Sequence, residues 1–144
     1  MAEHFHLNTP LLESVSMSRR AGTPVYLKME NSQPSGSFKI RGIGHLCQQL
    51  GTKSKGVVCS SGGNAGMAAA YVARKMGVPA TIVVPSSSPP TVIQKLKDQG
   101  AAVQIVGKVK CVIRVSDLFV AQKLDHWKMF RCRFGMTPTQ KLSD

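Results

Sequence analysis

Gly56-Val-Val-Cys-Ser-Ser-Gly-Gly-Asn-Ala-Gly-Met-Ala-Ala-Ala-Tyr-Val-Ala-Arg-Lys-Met-Gly77 is the stretch whose reading decides the fold. Its opening, Gly56 to Ser60, is a short apolar run suited to a strand buried on both faces. Ser61-Gly-Gly63 is a turn. Asn64 then opens a segment dense in alanine, the strongest helix former, and Gly77 is placed as its stop. The same order recurs on either side. Downstream, Ala80–Pro85 reads as a strand, Ser86–Pro90 as a loop and Ala102–Val106 as another strand. Between them Thr91–Gln99 reads as a helix with Val92, Ile93 and Leu96 on one face, closed by Gly100. Upstream, Val25–Glu30 reads as a strand that ends in the polar cluster Asn31-Ser-Gln-Pro-Ser-Gly36. Ser37 is then placed to cap a helix carrying Ile40, Ile43, Leu46, Cys47 and Leu50 at spacings of three and four. Strands separated by helices of this length need crossover connections, and those make a parallel sheet. The predicted fold class is α/β, a parallel sheet with flanking helices.

Composition narrows the function classes. The chain has 144 residues, enough for one domain with a real core, and 42% of them are apolar. The longest uncharged, mostly apolar run, Ala65–Ala73, is far short of the roughly 18 residues a membrane span needs. Met1-Ala-Glu-His-Phe-His6 lacks the basic and then apolar regions of an export leader, so a soluble, cytoplasmic protein without a membrane partner is expected. Cys47, Cys59, Cys111 and Cys132 have no short paired spacing, which favours reduced thiols over disulfides or zinc. His4 and His6 have no third ligand in view, so no metal site is expected. The net charge is +12, but basic residues stand singly or in pairs such as Arg19-Arg20 and Arg74-Lys75, and aromatics are sparse. A solvated basic surface accounts for that better than a nucleic-acid partner does; a nucleic-acid module would betray itself by affinity that falls steeply with salt.

Two glycine-containing turns could carry chemistry. Ser60-Ser-Gly-Gly-Asn-Ala-Gly66 joins a strand to a helix start, where free N–H groups and the helix dipole favour an anion. Two glycines permit close backbone approach, and Ser60, Ser61 and Asn64 add side-chain donors. A plain helix start with a tight turn explains the same residues equally well. Neither a phosphate-binding G-x-x-x-x-G-K-S/T loop nor a G-x-G-x-x-G fingerprint occurs. The second turn, Ser35-Gly-Ser-Phe-Lys-Ile-Arg-Gly42, puts Lys39 in the first turn of a helix, where the dipole disfavours a cation. A neutral lysine amine there could form a Schiff base with a carbonyl. An exposed lysine on an ordinary helix is the competing account.

Asn31-Ser-Gln-Pro-Ser-Gly-Ser-Phe-Lys-Ile-Arg-Gly-Ile-Gly-His45 resembles the lysine segment of the pyridoxal-phosphate-dependent L-serine/L-threonine dehydratase family. Val58-Cys-Ser-Ser-Gly-Gly-Asn-Ala-Gly-Met-Ala-Ala-Ala-Tyr71 is similar to the same family's asparagine loop, and Thr9–Glu13 and Pro79–Pro85 match as well. Within the family the likeness is to the animal serine dehydratases and their serine dehydratase-like paralogues, toward which Gly63 tilts it. The match runs in register from about His6 to Val109.

The resemblance implies the N-terminal portion of the tryptophan-synthase-β-like, type II pyridoxal-phosphate fold. Residues 1–40 would start the large domain, 41–109 would form an incomplete small α/β domain, and 110–144 would be a divergent tail. It implies pyridoxal 5′-phosphate on Lys39, packed by Phe38 and hydrogen-bonded at its ring oxygen by Asn64. It assigns the substrate carboxylate to Ser60, Ser61, Gly62, Gly63, Asn64 and Ala65. Lys39 would be the catalytic base in dehydrating L-serine to pyruvate, or L-threonine to 2-oxobutyrate, with ammonia. Full-length members would pair as homodimers. The family's glycine-rich phosphate run and its later Ser or Cys are not found in these residues, so the expected alternative is a truncated, inactive isoform with at most a subunit-pairing role. After Lys108 a single glycine, Gly135, remains, and the expectation is a poorly specified tail, partly helical between Asp117 and Met129.

Overall fold

The computed structural model describes residues 4–50, 56–107 and 118–120. A small antiparallel pair comes first: β1 (Leu11–Glu13) runs beside β2 (Tyr26–Lys28), with Leu12 opposite Leu27. Between them lies the short helix α1 (Val15–Ala21), closed by Gly22 in the left-handed conformation. A 3-10 turn at Glu30–Ser32 leads toward α2 (Lys39–Leu50). From there the strand and helix order is the one read from the sequence: β3 (Val57–Cys59), α3 (Asn64–Met76), β4 (Ala80–Val84), α4 (Pro90–Asp98) and β5 (Ala102–Ile105). The expected helix stop at Gly77 is present, with φ +69 and its N–H on the carbonyls of Ala73 and Arg74. That left-handed geometry is cheap for glycine and strained for other residues.

The main sheet has the order β5-β4-β3-β6, where β6 is Leu118–Val120. Val57 pairs with Ala80 and Thr81 with Ala102, both in parallel ladders, as crossover helices demand. Two expectations need correction. Val25–Glu30 was expected to begin the run of strands and helices, but β2 belongs to the separate antiparallel pair. Residues 118–120, expected within a helix, form a strand instead, with Val58 opposite Phe119 in an antiparallel ladder. The physical reason is the free edge of β3: its N–H and C=O groups need partners, and a Leu-Phe-Val triplet with high strand propensity supplies them. The remainder of the expected tail helix lies outside the described residues.

The core is built from alternation and from alanine. On β4, Ala80, Ile82 and Val84 are buried while Thr81 and Val83 are half-buried. The α3 residues Ala68, Ala69, Ala70, Val72 and Ala73 are fully buried, which lets α3 lie close to β3, β4 and α2. Ile40, Ile43 and Cys47 form the buried stripe of α2. Each fully buried Ile or Leu, as at Ile40, Ile82 and Leu96, contributes roughly 1.5–3 kcal/mol. The tightest contact is at Gly66, where an added Cβ would lie 1.8 Å from the Ser61 carbonyl oxygen. The turn after β3 is therefore pressed against the first turn of α3.

The N-terminal arm is tied to α2 by one charged network. Arg41 donates to both Glu30 oxygens, at 2.7 and 3.0 Å, and Thr9 donates to Glu30 Oε1 at 2.6 Å. Gln33 completes it, accepting from the Leu7 N–H at 2.9 Å and donating to the Leu7 carbonyl and to Glu30. Lys28 Nζ donates to the Thr9 carbonyl. Hydrogen bonds from Arg41 and Thr9 hold the Glu30 carboxyl down at about 2.

Three outcomes follow. Gly66→Ala should destabilise the chain by about 3 kcal/mol in urea denaturation, because backbone must move to admit the methyl. Gly42→Ala, whose Cβ meets nothing within 4 Å on a helix face, should instead stabilise it by roughly 0.5–1 kcal/mol. The depressed Glu30 value means its stabilisation is present above its ordinary value of 4.5 and is lost as pH falls from there toward about 2. The wild-type thermal midpoint should therefore drop more between about pH 6 and about pH 3 than that of Glu30→Gln; equal drops would exclude Glu30 as the group responsible.

Candidate functional site

Connectivity brings the two motif segments to one edge. Helix α2 leads into β3 and α3 leads into β4, so both run back along the parallel strands with their N-termini at the strands' carboxyl ends. The helices pack on each other. Lys39 is the first residue of α2 and Asn64 the first residue of α3. In open α/β sheets this carboxyl edge is where ligands gather.

The turn Ser60–Gly63 is shaped by close contacts on two sides. A Cβ on Gly62 would lie 3.3 Å from Val84 Cγ1 and 3.5 Å from Ser88 Oγ, so the turn rests on the end of β4 and the loop after it. Ser61 Oγ accepts from the Gly63 N–H at 3.3 Å. Gly63 is the residue before α3, and no side chain caps the helix there. The first N–H groups of α3 thus stay available, and Gly63 and Asn64 are exposed while Ser60, Ser61, Gly62 and Ala65 are half-buried. That arrangement can hold a carboxylate or another small anion.

At α2 the picture is a cation beside an open ring. Phe38 is 56% exposed, and Lys39 Nζ, half-buried, sits 5.1 Å from its ring centroid. Lys39 has no acidic partner, because the single ion pair among the described residues is Arg41–Glu30. Ser37 corrects one expectation: its hydroxyl does not cap α2 but is buried without a hydrogen bond. Its carbonyl, instead, accepts from the Ile40 N–H at 3.5 Å. No hydrogen bond among the described residues joins Lys39 to the Ser60–Ala65 turn; what unites them is the shared edge.

Sequence reasoning missed the residues that fix the start of α2. Arg41 lies inside the quoted lysine segment, yet its partner Glu30 is eleven positions earlier, across a turn that no helical or strand spacing links. Elsewhere, the His4 and His6 rings stand 5.1 Å apart, and burial and the Arg41 charge hold His6 below its ordinary value. Among the described residues no three His, Cys, Asp or Glu come together as a metal site would require. Cys47 is buried, and desolvation pushes its thiol up to about 11, which keeps it protonated and inert. Cys111 and Cys132 lie outside the described residues.

Comparison with known proteins converges on one family. The model for "Pyridoxal-phosphate dependent enzyme" matches residues 2–123, past Val109, where the sequence reading ended the likeness. Human "Serine dehydratase-like" is 57% identical over 129 residues, covering 88% of this chain and 38% of that protein. Human "L-serine dehydratase/L-threonine deaminase" is 57% identical over 108 residues, covering 74% of this chain and 33% of that protein. The solved L-serine ammonia-lyase of Rhizomucor miehei superimposes with a TM-score of 0.67 at 38% identity, covering 74% of this chain and 35% of its own. The chain thus spans about a third of the length of the curated relatives it matches. With a family model matched over residues 2–123 and a relative 57% identical across 88% of this chain, the chain belongs to the pyridoxal-phosphate-dependent enzyme family.

Proposed function

We propose that this chain carries the lysine and asparagine-turn side of a site that dehydrates L-serine, and L-threonine, to pyruvate or 2-oxobutyrate with release of ammonia. The carrying observation is that α2 and α3 present Lys39 and Asn64, their first residues, at the same carboxyl edge of a parallel sheet. The printed names of the relatives, serine dehydratase and L-threonine deaminase, support the substrate class. The division into residues 1–40, 41–109 and 110–144 goes with this reading; the separate β1–β2 pair supports the first unit alone, while β6 joins the sheet of 41–109 from beyond the last boundary.

The residues present fit pyridoxal 5′-phosphate. An aromatic face lies open beside a lysine amine, and among the described residues no acid neutralises that amine and a buried hydroxyl two residues earlier has no hydrogen-bond partner. When bound, the cofactor supplies the electron sink that makes the substrate Cα–H acidic. Lys39 Nζ would hold the cofactor covalently and, once the substrate's own amine has displaced it, would be the base placed to take the Cα proton. The Phe38 ring would pack against the cofactor, and the Asn64 amide would hydrogen-bond its ring oxygen. The hydroxyls and N–H groups of Ser60, Ser61, Gly62, Gly63, Asn64 and Ala65 hold the substrate carboxylate, which turns the Cα–H toward Lys39.

A second reading, a non-catalytic chain that pairs with longer subunits, draws on the apolar surface of the N-terminal unit. Leu11, Leu12, Val15, Met17, Tyr26 and Leu27 are all exposed there, and large exposed apolar side chains are what a protein-facing surface offers.

The test is borohydride reduction in the presence of pyridoxal phosphate, followed by peptide mapping. Label at Lys39 alone is the expected result, and label spread over many lysines sinks the reading. In a coupled pyruvate assay, the 144-residue chain by itself should turn over L-serine no faster than Lys39→Ala. Phe38 and Asn64 are open to water, and donors in a wet site lose most of their electrostatic leverage. Turnover comparable to a full-length relative would overturn that expectation.

A further inference from the structure

Ser37 stands out among the polar residues around α2. The segment leading into the helix buries alternate residues, Gln33, Ser35 and Ser37, and exposes Pro34, Gly36 and Phe38. Two of the three buried side chains are satisfied. Gln33 bonds to Leu7 and Glu30, and Ser35 Oγ donates to the Ser37 carbonyl at 3.4 Å. Ser37 itself is 7% exposed, and its hydroxyl has no hydrogen-bond partner. A buried hydroxyl without a partner is costly enough that native structures rarely keep one without a reason. Among the described residues one other buried polar atom shares this condition, Oε1 of Gln99, but it lies at the C-terminal end of α4, next to the start of β5. That is the opposite edge of the sheet from Lys39.

The surroundings of Ser37 suit an anion. It precedes Lys39 by two residues, at the positive end of a twelve-residue helix. The nearby carboxylate, Glu30, is already engaged by Arg41, Thr9 and Gln33. Ser37 therefore has a proton to donate, a cation two residues along the chain and, among the described residues, no acidic side chain bonded to it.

We propose that Ser37 is a cofactor-binding residue whose hydroxyl donates to an anionic oxygen of the pyridoxal phosphate held at Lys39. The proposal rests on the functional reading above. Pyridoxal phosphate offers two kinds of anionic oxygen, on its phosphate and on its ring. Asn64 is already assigned to the ring oxygen, so the phosphate is the expected acceptor.

The experiment compares the full wild-type chain with Ser37→Ala and Ser37→Thr by two measurements. The first is the thermal midpoint without cofactor. Removing an unpartnered buried hydroxyl should leave the Ser37→Ala midpoint equal or higher. The second is a spectrophotometric titration with pyridoxal phosphate and, separately, with pyridoxal, which lacks the phosphate. Ser37→Ala should bind pyridoxal phosphate about tenfold more weakly, as loss of a hydrogen bond to a charged group predicts, and Ser37→Thr should recover most of that. A loss seen with pyridoxal phosphate alone puts the acceptor on the phosphate; an equal loss with both probes puts it on the ring, and either supports the proposal. Unchanged affinity in Ser37→Ala overturns it, as does a lowered midpoint without cofactor, which would mean that the hydroxyl serves the fold. If the wild-type chain forms no reducible adduct at Lys39, the functional reading fails and this proposal with it. If wild type and Ser37→Ala form it with equal affinity, only the Ser37 assignment fails.

Discussion

The contact between Gly66 and the Ser61 carbonyl is the constraint on which the rest of the structure depends. With 1.8 Å between that oxygen and an ideal Cβ, no side chain fits, and the turn after β3 is held against the first turn of α3. The consequence spreads outward. Because α3 starts so close to the strand, only small side chains fit between it and the sheet, and four of its buried residues are alanines. The alanine surface in turn lets α2 approach α3 through Ile40, Ile43 and Cys47. Lys39 reaches the carboxyl edge because α2 can lie there. A bulkier α3 would displace α2, and the lysine with it.

A second tie acts from the other side. Glu30 gathers Arg41, Thr9 and Gln33, and Gln33 and Arg41 both reach the Leu7 carbonyl, so the arm from residue 7, the 3-10 turn and the first turn of α2 form one hydrogen-bonded unit. The Phe5 side chain adds an apolar contact, 3.3 Å from where a Cβ on Gly44 would stand. The helix that carries the lysine is thus gripped at its start by charge and along its length by packing.

Much of this was legible because it is local. A Gly-Gly-Asn turn between an apolar run and an alanine-rich segment specifies strand, turn and helix from neighbouring residues alone, and Gly77 and Gly100 mark helix ends by the left-handed backbone that glycine accepts. What was not legible depends on distant partners. Leu11–Glu13 is three residues long, too short for alternation to register, and becomes a strand because β2 pairs with it. Leu118–Val120 is a strand because β3 has an open edge, a fact about the sheet and not about those three residues. Ser37 has the spacing of a helix cap, but spacing does not fix where a hydroxyl points. The Glu30–Arg41 pair joins two elements across a turn, a distance that sequence periodicity does not measure.

The electrostatics of the α2 start gives those pieces a common sense. Two cations, Lys39 and Arg41, occupy the first turn, where the dipole makes each unfavourable, and no acidic residue in that turn offsets them. Glu30 neutralises one of them: bidentate contact takes both its oxygens toward Arg41. Lys39 is left with the Phe38 ring, a weak and partly solvated partner. The pairing is selective. Had Glu30 met Lys39 instead, the guanidinium would be left without its partner and the lysine's charge would be neutralised. By engaging the guanidinium, which stays charged under all ordinary conditions, the carboxylate anchors the helix and leaves a positive field around the lysine. That field lies beside an edge which α3 supplies with free N–H groups, a setting that favours an anion. The same charge arrangement that orients the first turn of α2 thus leaves it receptive to an anion.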